Sequence, residues 1–200
     1  MQFGRFAARA LIGSLFIGHG TQKLFGWFDG PGLDGTQGMM ESLNLRPGRQ
    51  HALAAGLTET TGGALLVAGL ATPLAASGLI GTMISAIRTV HLKNGPWGQN
   101  GGWEYNAVLI AALLALAEEG PGDLSLDNKL GFTEPGPLWA LGALAVGAAA
   151  SAAVVEVGRR QSIQSQRQGP SEAQDQPETL DQPETQSRSD TQSQSESRGQ

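Results

Sequence analysis

The sequence predicts an all-α membrane protein: a four-helix transmembrane bundle, a fifth C-terminal transmembrane helix and a disordered tail. Three observations predict it. Five apolar runs approach or reach the roughly 20 residues needed to cross about 30 Å of hydrocarbon. These runs are apolar all round, whereas a helix on the surface of a soluble bundle keeps a polar face. They are also rich in Gly and Ala, as expected where membrane helices pack closely.

The overall average hides this pattern, because two materials are joined end to end. Residues 159–200 hold almost nothing apolar beyond Ile163, Ala173 and Leu180. The apolar mass lies before them, so the two parts are read separately. The expected divisions are a core over 1–130, an additional helix over 137–158 and a Gln/Ser/Glu-rich tail over 159–200.

The first run spans about residues 6–25 and contains LIGSLFIGHG. Arg5 and Arg9 followed by an apolar stretch resemble the start of a signal peptide. The run instead reaches His19, Gln22 and Lys23, and no small-residue cleavage pattern follows. It is read as a retained helix. The second run covers about 52–70 and the third 74–90, with a tight turn between them at 71–73. The fourth, 105–117, is short, and Trp103 and Glu104 extend it toward the interface. The fifth covers 138–157. Residues 26–51 are expected to form a long flexible loop. Their glycines lack the GK[ST] of a phosphate loop, and Asp29 and Asp34 lack the spacing of a calcium loop. The tail repeats DQPET at 175–179 and 181–185; such a composition buries too little apolar surface to order itself.

Composition excludes several function classes. The chain has no cysteine, hence no disulfide, CxxC pair or thiolate metal site. A formal net charge of −5 leaves no basic footprint for nucleic acid. No metal site is expected. His19 and His91 without a further motif are a weak basis for haem, which is not expected.

Alternating helix directions bring one set of ends together. His19 and Lys23 close the first run, Arg88 and His91 close the third, and Glu104 opens the fourth. Glu59 lies about two turns inside the second. Ionisable groups inside membrane helices are costly and face a partner or a cavity. Glu59 is therefore expected to pair with a basic group, first of all Lys23, in a polar pocket with His19, Arg88, His91 and Glu104. The competing reading is a structural network that fixes helix register. His51 is read as a loop residue.

Three blocks carry a resemblance. GHGTQKLFGWF at 18–28, ETTGGALLVAGLATPLAA at 59–76 and GGWEYNAVLIAALLALAEEGPGDLSLD at 101–127 occur in that order. Together they resemble the DoxX family of small bacterial membrane proteins, over about residues 5–127. The resemblance implies a four-helix membrane core in the cell inner membrane. It also implies a link to oxidoreductase systems, since relatives include a subunit of a thiosulfate:quinone oxidoreductase. By motif position His19, Gly20, Lys23, Gly26, Glu59, Glu104, Gly120, Gly122 and Asp127 correspond to recurrent family residues. The chain departs from the family in its fifth apolar run and its tail.

Two functions follow as expectations. One is a membrane component, such as a subunit of a quinone-linked oxidoreductase, that meets quinone or a redox protein partner. The other is a non-enzymatic scaffold that recruits partner proteins. Besides the lipid bilayer, a homo-oligomer is left open, and so is orientation. Lys23, Arg46, Arg49, Arg88, Lys93, Arg159 and Arg160 favour a cytoplasmic polar face by the positive-inside rule. Four-helix relatives are usually drawn with the opposite arrangement.

Overall fold

The structure is a computed structural model that describes residues 2–132 and 135–168. Its order is α1 (Gln2–Phe25), α2 (Gly32–Ser42), α3 (Gly48–Ala68), α4 (Thr72–Ala86), α5 (Glu104–Glu119), α6 (Leu126–Lys129) and α7 (Pro137–Gln168). A π turn (Ile87–His91) and a 3₁₀ turn (Leu92–Asn94) prolong α4. Another 3₁₀ turn, Gly98–Asn100, precedes α5.

The closest pairing joins α1 to α3. Small residues permit it: a Cβ on Gly13 would lie 2.6 Å from the Gly63 carbonyl oxygen, and one on Gly63 would lie 2.5 Å from that of Gly13. Side chains there would push the backbones apart. Helix α3 ends at Gly69 with φ +63°, and Leu70 N–H donates to Leu65 O at 2.9 Å. That left-handed C-cap turns the chain, and Pro73 then helps to start α4. Helices α4 and α7 run parallel, and the hydroxyls of Ser85 and Ser151 share a hydrogen bond of 2.9 Å across them. The core gathers Phe16, Leu66, Leu79, Ile80, Leu109 and Leu113 from α1, α3, α4 and α5, and Ala143 from α7. A smaller cluster of Met40, Leu45, Ala52 and Val155 joins α2 and α3 to α7.

The expected four-helix transmembrane bundle with a fifth spanning helix is corrected here. All five apolar runs are helical, but among the described residues two helices are long and apolar enough to cross a membrane. These are the 23-residue Thr72–Asn94 and the 31-residue Pro137–Arg167. The others fail for physical reasons. Helix α1 carries Arg5, Arg9 and Lys23, and α3 carries Arg49, His51, Glu59 and a run of threonines. Helix α5 has 16 residues, about 24 Å of rise against about 30 Å of hydrocarbon. Less than half of the most apolar window is buried in each of the two long helices, 39% and 28%. On α7, Leu138, Leu141, Val146 and Val157 are exposed. Such apolar outer surfaces agree with a multi-pass protein of the inner membrane.

Two smaller corrections concern connections. The expected flexible loop at 26–51 contains α2, an 11-residue helix that buries Thr36 and Met40. Thr36 Oγ1 donates to Gly32 O at 2.7 Å and lies 3.3 Å from Lys23 O, tying α2 to the end of α1. Helix α7 continues ten residues past the boundary expected at 158. The repeated DQPET segments lie outside the described residues.

Candidate functional site

Helix α3 begins at Gly48, so Glu59 lies about three turns inside it rather than two, roughly 16 Å along the axis. Its side chain is 6% exposed. Lys23, in the last turn of α1, reaches it with Nζ 2.5 Å from Glu59 Oε2. The α1–α3 glycine crossing sets this distance by holding the two backbones together.

Beside the ion pair lies a cavity of about 730 Å³. Phe16, Met83 and Leu109 supply part of its apolar wall, and α2 and α7 close it with Met40 and Val155. Its polar lining includes His19, Lys23, Glu59, His51, His91 and Tyr105. His91 Nδ1 lies 2.7 Å from Gly101 O, and His19 Nδ1 lies 3.2 Å from Gln22 Oε1. A carbonyl oxygen only accepts, so these contacts place a proton on Nδ1. In the neutral ring Nε2 is then an acceptor, and in the cationic ring a donor.

Of the six residues expected in one pocket, the cavity brings together His19, Lys23, Glu59 and His91. It does not take in the other two. Glu104 instead accepts a hydrogen bond from Gly98 N–H at 2.7 Å, which braces the loop before α5. Arg88 points away into a separate small cleft with Lys93. The reason is the π turn, whose wider winding sends residues three apart in different directions. His51, read as a loop residue, belongs to α3 and to the cavity wall. Its signal was position, since the second helix starts earlier than its apolar residues suggest.

The recurrent residues divide. Gly20 packs against Gly56 and Thr60 in the α1–α3 crossing, and Gly26 ends α1 with φ +73°. Gly120 and Gly122, with φ +77° and +75°, turn the chain at the far end of the bundle. There Asp127 caps α4, accepting from Ala71 N–H at 2.8 Å, Thr72 N–H at 3.1 Å and Thr72 Oγ1 at 3.2 Å.

Sequence reasoning missed the partner of this far cluster. Arg9 is 0% exposed. It donates through Nη2 to Leu124 O at 2.5 Å and through Nη1 to Leu66 O at 3.5 Å. Asp127 attracts its charge. The rule that singles out Glu59, an ionisable group inside an apolar run, applies equally to Arg9; its place near the N-terminus masked it.

Among the described residues, no group of three or more His, Asp or Glu is arranged to hold a metal ion. No curated protein and no solved structure matches the chain. Residues 4–92 match the DoxX family. The match takes in Lys23 and Glu59, while Glu104, Gly120, Gly122 and Asp127 lie beyond it. Over residues 4–92, therefore, this chain is similar to the DoxX family of membrane proteins.

Proposed function

We propose that the protein is a membrane component of an oxidoreductase system and that its cavity receives a quinone. One observation supports this above others: a half-open, mainly apolar space has the Lys23–Glu59 pair and three imidazoles on its wall. A quinone combines an apolar ring and tail with two carbonyl oxygens. It fits a site with apolar walls and a few convergent polar groups. When bound, it supplies two-electron redox chemistry, with electrons exchanged with a redox protein partner.

The chain's own residues bind and orient. Lys23 has N–H donors beyond the one directed at Glu59, and these suit a carbonyl oxygen. Glu59 holds Lys23 in place and balances its charge in a medium where a lone ammonium is costly. With the proton on Nδ1, an uncharged ring at His19 or His91 presents an Nε2 acceptor, which suits the hydroxyl groups of the reduced form. In this reading residues 1–130 carry the site, and the following helix contributes a wall through Ser151 and Val155.

The test is direct binding to the full chain purified in mild detergent. Titration with a short-tailed quinone should quench tryptophan fluorescence saturably, and Glu59→Gln should weaken binding by about ten-fold, a loss of about 1.4 kcal/mol. Linear quenching that is the same in both proteins would sink the proposal. Copurification of a protein partner with no quinone affinity would favour the scaffold instead.

A further inference from the structure

The two long apolar helices end on the same side of the molecule, because α4 and α7 run parallel. A group of cations collects there. Arg88 leaves the π turn and Lys93 the following 3₁₀ turn, and together they line a cleft of about 230 Å³ with Thr89, Val90 and Leu92. Both side chains are exposed, and neither makes a hydrogen bond or an ion pair among the described residues. Helix α7 brings Arg159 and Arg160 to the same region, where Arg88, Arg159 and Arg160 all act on the carboxylate of Glu156. Glu156 is itself paired with Arg160 at 2.7 Å. The cations therefore outnumber the carboxylate that faces them.

The surroundings are apolar. Leu92 is 61% exposed beside the cleft, and Val154 and Val157 are exposed on α7. Cations at the end of a spanning helix, bordered by exposed aliphatic side chains, match an anionic headgroup joined to acyl chains. We infer that the Arg88–Lys93 cleft binds the phosphate of an anionic phospholipid, whose chains lie along the exposed apolar face of α7. A free phosphate would satisfy the cations but leave the aliphatic border unused. The π turn thus serves two surfaces, sending His91 to the cavity wall and Arg88 to the lipid interface. The inference does not depend on what the cavity holds.

Native mass spectrometry of the full chain, released from mixed micelles, tests it. Phosphatidylglycerol should be retained about ten-fold more strongly than phosphatidylcholine. Each cation near a membrane surface is worth about five-fold in lipid affinity, so R88A/K93A should cut retention of phosphatidylglycerol about thirty-fold. R88K/K93R, which keeps both charges, should retain most of it. Equal retention of the two lipids, or no change in R88A/K93A, would overturn the inference. So would displacement of the lipid by inorganic phosphate at equal concentration, which would reveal an ion site without lipid recognition.

Discussion

Each end of the bundle buries a cation from α1 and sets a carboxylate nearby, yet the two ends do different things with them. At one end Lys23 and Glu59 touch each other at 2.5 Å beside a large cavity. At the other, Arg9 donates to the carbonyls of Leu66 and Leu124, while Asp127 accepts from the start of α4. There the chain leaves no room: a Cβ on Gly69 would collide with the Arg9 guanidinium and with Ser125. Asp127 N–H also donates to Gly69 O at 2.9 Å, closing the turn on itself. Charges directed at backbone hold helix ends together, whereas charges directed at each other beside open space remain available to a ligand.

The largest expected effect breaks the closed end. Arg9→Ala removes a buried cation and leaves the carbonyls of Leu66 and Leu124 without their donor. It should cost about 3–5 kcal/mol, the usual loss on breaking a buried charge from one side. Thermal unfolding in detergent reads this directly, and a loss below about 1 kcal/mol would show that the far cluster is not a clasp.

A cycle at the open end sharpens the comparison. Lys23→Met and Glu59→Gln should each destabilise the protein by less than Arg9→Ala, since Lys23 is 21% exposed and water relieves part of the loss. The double variant should recover part of the difference, with a coupling of about 0.5–3 kcal/mol. Zero coupling would separate the pair energetically despite its geometry.

Asp127→Asn keeps the shape of the α4 cap but removes its charge. A loss of about 1–2 kcal/mol is expected, in the range of N-cap substitutions, with quinone affinity unchanged because the cap is remote from the cavity. A matching loss of affinity would mean that the two ends are coupled. The smallest effect is expected between α4 and α7. Ser151→Ala removes one neutral hydrogen bond and should cost about 1 kcal/mol. A much larger loss in the same unfolding assay would show that Ser151 does more than close the cavity wall.

Much of the local structure was legible in the residues. Apolar runs located α1, α3, α4, α5 and α7, and ionisable groups within them or at their ends marked His19, Lys23, Glu59 and His91. What stayed hidden depended on winding and on where backbone hydrogen bonds end. Glycine-rich residues 32–42 form a helix because Thr36 anchors them to α1, not because their composition favours one. Arg88 and His91 share an apolar run but part company at a π turn that has no plain sequence signature.

The count of spanning helices shows the same division. By itself the sequence determined that the protein is helical, that apolar runs alternate with polar ends, and that α4 and α7 are long and apolar. Periodicity and composition are local properties, so they survive without knowledge of neighbours. Only the tertiary structure decided that Arg9 is buried in a turn formed by residues more than fifty positions away, that Lys23 meets Glu59, and that α2 and α7 wall a cavity. Each of these depends on which backbones approach closely enough to share hydrogen bonds or exclude water, and that is settled by packing between distant segments.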